Sequence, residues 1–182
     1  QFWFAILALH KIGAVAIPAT NLLLKSDFEY RFKAGNVDAI LCTADGPVSR
    51  EVDKACRSYK NLKVKIMVGA SRKGWRSFNK EVKYFSSHFR RPHGENAIHG
   101  DDPSIMFITS GTTSYPKITT HNFKYPLGHY VTAKYWHQVD PDGIHFAISD
   151  TGWGKALWGK IYGQWICGAV IFCYDMDKFI PL

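Results

Sequence analysis

Short apolar runs that alternate with amphipathic or basic stretches narrow the fold of this chain more than any other feature. Residues 37–42, 64–68, 104–108, 143–148 and 169–174 are each of strand length, and Gly, Pro or polar clusters bound them. Between them lie helical patterns. Residues 1–12 predict a helix ended by Gly13, followed by a short strand at 14–17 that Pro18 stops. Ser26 and Glu29 have capping-box spacing and predict a helix to Ala34, with Gly35 as terminator. Pro47 suits the first turn of a helix reaching about Tyr59. A basic helix is expected over 77–89, a polar surface loop over 90–103, and helices over 122–136 and 153–165. Pro126 is expected to kink the first of these two or delay its start. Strands alternating with helices give an α/β fold with largely parallel sheet.

A length of 182 residues suits one domain, and 46% hydrophobic against 21% charged residues is a globular balance that excludes a disordered chain. The sequence opens on Gln1 and stops at Leu182 after a strand-like run, so a single partial domain over 1–182, a fragment of something longer, is expected. The formal charge of +8 directs attention to anionic partners: nucleotides, coenzyme A, nucleic acid or a membrane surface. A solvated basic face is the default explanation of such charge. Cys42, Cys56, Cys167 and Cys173 form no C-x-x-C and no metal spacing with the eight histidines. Cys42 and Cys173 stand in apolar runs where buried thiols are ordinary, and a reducing cytoplasm is the expected compartment. The apolar opening at residues 2–9 is interrupted by His10 and Lys11, far short of the ~20 residues of a membrane span, and it lacks a basic leader region.

The chemistry concentrates in Thr109-Ser110-Gly111-Thr112-Thr113-Ser114-Tyr115-Pro116-Lys117. This stretch leaves the C-terminal end of a predicted strand, where open α/β sheets bind ligands. Gly111 allows the backbone to approach an anion, and successive N–H groups can make a nest around it. Lys117 adds a full charge suited to phosphate. From these residues alone an anion-binding loop and a plain polar turn both remain open. Lys117 is preceded by Pro116 and followed by Ile118, so the stretch is not a Walker A loop. Gly152-Trp153-Gly154 begins like a dinucleotide fingerprint, but Leu157 holds the place of the last glycine.

The same nine residues resemble the signature of the adenylate-forming superfamily, a Ser/Thr/Gly cluster followed by a Gly or Ser, a variable residue, Pro and Lys. Ser114 stands where many members carry glycine. Residues 8–21 resemble the family's early helix, glycine turn and strand ending in Pro. Ser149-Asp150-Thr151-Gly152-Trp153, with Trp158, Trp165 and Gly168-Ala169, resembles the matching segment of small- and medium-chain acyl-CoA synthetases. The resemblance implies an AMP-forming acid–thiol ligase whose partners are a small carboxylic acid, ATP and coenzyme A, with Mg2+, and neither nucleic acid nor a membrane span. It implies that Thr109, Ser110, Gly111, Thr112, Thr113 and Ser114 hold the β- and γ-phosphates while Lys117 balances their charge. Thr112 or Thr113 would lie near Mg2+, and Gly152 with Trp153 would line the acyl pocket. No side chain here is assigned a catalytic role, because the substrate carboxylate is its own nucleophile and the protein need only align and neutralise charge.

For Trp153 an aromatic packed into the core at a helix start is the competing explanation, and solvent exposure is expected for Lys155. His121 is placed either to orient the loop's exit or simply on the surface. The family's adenine-binding segment, acidic Mg2+-linked motif, ribose-binding Asp, hinge and terminal lysine would all fall beyond Leu182. The chain alone is therefore expected not to complete adenylation.

Two other functions fit parts of the sequence. Twelve Lys and Arg residues from Lys54 to Arg91, interleaved with Tyr59, Trp75, Phe78, Tyr84, Phe85 and Phe89, have the composition of a nucleic-acid-binding surface. Ser114 to Lys117 also spells the S-x-x-K of serine acyl-enzymes. No K-T-G follows, however, and Pro116 falls where that motif needs a helical turn.

Overall fold

The computed structural model describes residues 1–109 and 116–174, which fall into two compact units divided between Asn122 and Phe123. Helix α1 (Phe2–Ile12) ends as the sequence predicts. Gly13 adopts a left-handed φ of 72° at the cap, and a Cβ there would lie 3.0 Å from Ile98 Cγ1. The strand expected at 14–17 shrinks to a single parallel bridge. Ala16 donates to the Ser104 carbonyl at 3.0 Å, and its own carbonyl accepts from Met106 N–H at 2.8 Å.

Helix α2 (Lys25–Ala34) starts earlier than the Ser26–Glu29 spacing predicts. The cap residue is Leu24, and the Asp27 carboxylate accepts its backbone N–H at 2.9 Å. A carboxylate one place after Ser26 reaches that orphan amide, so Ser26 lies inside the first turn. Gly35 closes the helix as expected but with φ −92°. Its need is spatial, since a Cβ would lie 2.7 Å from Ile17 Cδ1. The left-handed residue is the next one, Asn36, at φ 45°.

β1 (Ala39–Thr43), β2 (Val64–Val68) and β3 (Arg76–Ser77) form a parallel sheet in that order. Between β1 and β2 runs α3 (Val48–Ala55), with Pro47 as its cap residue. α2 and α3 bury one core made of Leu23, Phe28, Phe32, Val48, Val52, Ala55 and Tyr59. Phe28 and Phe32 are one helical turn apart, which puts both on the same stripe of α2. The basic helix expected over 77–89 is realised only as α4 (Phe78–Glu81) and a 3-10 turn, Val82–Tyr84. Neither piece has a buried residue, so tertiary packing gives a longer helix no support there.

β4 (Pro103–Thr109) and β5 (Lys117–Asn122) pair antiparallel, with Thr109 opposite Lys117 at the open end. The β1–β2 and β2–β3 pairings are parallel, as is the Ala16 bridge onto β4. Ile105 is fully buried and Ser104 nearly so, with the Ser104 hydroxyl donating to the His121 carbonyl at 3.2 Å.

In the second unit, Pro126 delays the helix as anticipated: α5 (Tyr125–Val131) starts beside it and passes into a π-helical stretch, Thr132–Trp136. The helix expected at 153–165 is continuous but changes pitch, through α6 (Gly154–Leu157), a π-helical stretch Trp158–Tyr162, and α7 (Gly163–Ile166). At Gly163 a Cβ would meet the Ala133 Cβ at 2.6 Å, so the helices touch backbone to backbone. The strands expected at 143–148 and 169–174 reduce to β6 (Ile144–His145) and β7 (Val170–Ile171), paired in parallel.

Candidate functional site

The β4–β5 hairpin holds the two described ends of the hydroxyl-rich stretch. Thr109 is the last residue of β4 and Lys117 the first of β5, and both are exposed. The Thr109 hydroxyl faces the Lys117 carbonyl at a long 3.5 Å. Ser110, Gly111, Thr112, Thr113 and Ser114 lie outside the described residues. Lys117 belongs to a strand ladder, and Ser114, the other half of the S-x-x-K reading, lies outside the described residues.

Beside this end of the hairpin is a cleft of about 410 Å³ with Ser26, Asp27, Tyr30, Arg31, Thr109 and Pro116 in its wall. The Tyr30 hydroxyl donates to the Pro116 carbonyl. Burial lowers the pKa of the Arg31 guanidinium, while Asp27 and Tyr30 act in the opposite direction. Sequence reasoning missed this helix-to-hairpin contact, because nothing local to Tyr30 points to a partner so remote in the chain. His121, further along β5, stacks edge-on against Phe107 with ring centroids 5.8 Å apart.

In the second unit, Asp150 builds the turn that carries the other two expected site residues. Its carboxylate accepts the Gly152 N–H at 2.6 Å, and its carbonyl accepts the Trp153 N–H at 3.1 Å. Trp153 caps α6 in an extended conformation, and its carbonyl accepts the Ala156 N–H at 3.0 Å. The indole is 65% exposed, not packed into a core. Lys155 is exposed as expected, whereas Lys160 is buried with its ammonium 5.9 Å from the Phe146 ring.

The basic stretch from Lys54 to Arg91 is partly neutralised. Asp53 pairs with Lys65 at 2.7 Å and Arg72 at 2.8 Å, and it also accepts from the Trp75 indole at 3.0 Å. Lys54 pairs with Glu51, Lys63 with Asp38 and Arg76 with Glu81. Tyr59 is buried in the core, so it is no stacking platform. The four cysteines are free, and Cys173 is exposed, contrary to the buried thiol its apolar run predicts, because β7 ends before it. Among the described residues no group of three or more His, Cys, Asp or Glu is arranged to hold a metal, and no helix is long and apolar enough to cross a membrane.

The sequence model of the family described as "AMP-binding enzyme" matches residues 1–181. Among curated proteins, "Acyl-coenzyme A synthetase ACSM3, mitochondrial" of Homo sapiens is 32% identical over 184 residues, covering all of this chain and 30% of the relative. "Acyl-coenzyme A synthetase ACSM4, mitochondrial" of Homo sapiens is 29% identical over 181 residues, 98% of this chain and 30% of the relative. This chain thus spans about 30% of the length of these curated relatives. Among solved structures, the anthranilate CoA ligase AuaEII in complex with anthranoyl-AMP superposes with a TM-score of 0.79 at 19% identity, over 93% of this chain and 32% of that one. A Brucella canis acyl-CoA synthetase superposes with a TM-score of 0.74 at 22% identity, over 91% of this chain and 29% of that one. Both likenesses are statements about fold.

Proposed function

This chain belongs to the AMP-binding enzyme family, and from that premise we propose that it is part of an AMP-forming acid–coenzyme A ligase. A carboxylate oxygen of the substrate attacks the α-phosphorus of ATP, and pyrophosphate leaves. The sulfur of coenzyme A then attacks the carbonyl carbon of the acyl-adenylate, and AMP leaves. Neither step asks the chain for a nucleophile. What is asked of it is alignment and charge neutralisation, as the expected roles of Thr109, Ser110, Gly111, Thr112, Thr113, Ser114 and Lys117 describe. Mg2+ suits hydroxyl oxygens such as those of Thr112 and Thr113, and when bound it would offset the charge of the phosphates.

The observation that carries this proposal is the hairpin. It brings Thr109 and Lys117 opposite each other at the mouth of the hydroxyl-rich stretch, beside an open cleft. Gly152 and Trp153 are proposed to line the acyl site, supported by the exposed indole on its Asp150-built turn. The two compact units are proposed to be parts of one domain in the full-length protein. Free thiols are consistent with a reducing compartment such as the cytoplasm. Cell fractionation would tell it from the mitochondrion printed in the relatives' names.

The test is ATP–pyrophosphate exchange on the full-length protein, with Lys117→Ala expected to depress it. Undiminished exchange in that variant would remove Lys117 from the nucleotide site. The 182-residue chain by itself is expected to show no exchange, and a rate near that of the full-length enzyme would overturn that part of the proposal.

A further inference from the structure

The helix that precedes β1 reaches across to the loop-bearing hairpin through the hydrogen bond from the Tyr30 hydroxyl to the Pro116 carbonyl. We infer that Tyr30 is a positioning residue for the nucleotide-binding loop, holding the peptide from which Lys117 departs. This rests on the proposal that the loop binds the phosphates of ATP.

The geometry supports the assignment in three ways. Proline has no N–H, so its carbonyl is the sole backbone hydrogen-bonding group Pro116 can offer. The carbonyl of Pro116 and the Cα of Lys117 lie in the same peptide plane, so a donor that fixes the oxygen also limits rotation of the bond pair from which the Lys117 side chain rises. On the far side Lys117 is held by its ladder pairing with Thr109. The loop's exit is thereby tied from two directions, one within the hairpin and one from outside it.

The platform that presents the phenol is rigid. Phe28 and Phe32 flank Tyr30 on α2 and are buried in the core. Phe32 packs on Phe28 and Tyr59, with ring centroids 5.6 and 5.4 Å away. The start of the same helix is fixed by the Lys25 N–H, which donates to Glu51 on α3 at 3.0 Å. The Glu29 carboxylate accepts from Ser58, just beyond α3. A half-buried tyrosine on a helix anchored in this way can hold a backbone carbonyl in place at low entropic cost, because the backbone that presents it is already ordered.

The experiment uses the full-length protein and compares Tyr30→Phe with Lys117→Ala in ATP–pyrophosphate exchange and in urea unfolding. Tyr30→Phe removes one oxygen and keeps the ring in its site. The expected result is a KM for ATP raised about three- to tenfold, the effect of losing one hydrogen bond, with the KM for the carboxylic acid and the urea midpoint unchanged. An unchanged KM for ATP in Tyr30→Phe, beside depressed exchange in Lys117→Ala, would overturn the role of Tyr30 and leave the loop assignment standing. Normal exchange in both variants would overturn both. A rise in both KM values together with a lowered urea midpoint would show Tyr30 to be structural, which also overturns the inference.

Discussion

Thr109 and Lys117 close the open end of an antiparallel ladder, so the cation proposed to meet phosphate is also a strand residue. Substitutions at Lys117 can therefore act through charge or through the strand, and the two are separable. Lys117→Met keeps a long side chain without charge, and Lys117→Arg keeps the charge. In the full-length protein Lys117→Met is expected to lower kcat/KM for ATP about ten- to a hundredfold, the range of a lost charge-assisted hydrogen bond. Lys117→Arg should retain much of the activity. Equal losses in both would point to the strand.

Trp153 offers a test of the acyl site that does not depend on the loop. Its indole is 65% exposed, so Trp153→Ala should leave the melting temperature nearly unchanged. If the ring lines the acid pocket, the KM for the carboxylic acid rises about tenfold or more from the lost apolar contact, while the KM for ATP stays put. Steady-state kinetics with each substrate varied in turn would decide this.

Asp53 is the hub of a partly buried cluster, in ion pairs with Lys65 and Arg72 and accepting a hydrogen bond from the Trp75 indole. Burial raises the pKa of its carboxyl, but the three hydrogen bonds outweigh burial and the net direction is downward. A lowered folded-state pKa means that the carboxylate stabilises the fold above the unfolded value, about 3.9, and that this contribution is lost as pH falls through the lower folded value. Asp53→Asn should thus cost about 1–3 kcal/mol at pH 7. The gap to the parent chain should begin to narrow below about pH 4 and go on narrowing as pH falls. Urea midpoints measured from pH 7 to pH 3 would detect it, and a gap independent of pH would contradict it.

Gly35 has no room for a methyl group, with Ile17 Cδ1 at 2.7 Å and the Arg31 carbonyl at 3.0 Å from the ideal Cβ position. Gly35→Ala is expected to destabilise by about 1–3 kcal/mol through overpacking. Shortening the neighbour in Ile17→Ala should relieve part of that. A double-mutant cycle on urea midpoints would then show the pair to be less destabilised than the sum of its singles.

Cysteine labelling gives a direct probe of surface and core. Burial, with a smaller push from Asp53, raises the Cys42 thiol to about 11. Cys173 is exposed. Iodoacetamide at pH 8 should therefore modify Cys173 first and Cys42 slowly, with the Cys42 rate climbing as pH approaches 11. Mass spectrometry of a time course would read both rates. Fast modification of Cys42 at pH 8 would place its thiol in solvent.

Legibility in the sequence followed the range of the interactions concerned. β2 was readable residue for residue, because five apolar and basic positions between turn signals need no distant partner to be recognised. Gly13 and Pro126 acted where local backbone chemistry says they should. The start of α2 differs from the Ser26–Glu29 spacing because the Asp27 carboxylate accepts the Leu24 N–H, which moves the cap two residues upstream, a choice visible only in the geometry. The basic run near Phe78 has helical composition and apolar residues at helical spacing, yet neither of its two short pieces buries a residue and the α-helix ends at Glu81. The pitch change over Trp158–Tyr162 and the close approach of Gly163 to Ala133 are not revealed by any periodicity. Within the candidate site, the hydroxyl-rich stretch and its lysine announce themselves, whereas Tyr30 is silent until the chain is folded.

The lone bridge from Ala16 to the strand bearing the loop also bears on how such a protein is made. A ribosome releases Ala16 long before Ile105 and Met106, so this residue must wait with its amide and carbonyl satisfied by water or a chaperone. Closing a contact of such wide sequence separation is slow compared with forming α1 beside it. Strand β4 would therefore gain this neighbour late in synthesis, and the hairpin proposed to carry the nucleotide loop would be completed only after that closure.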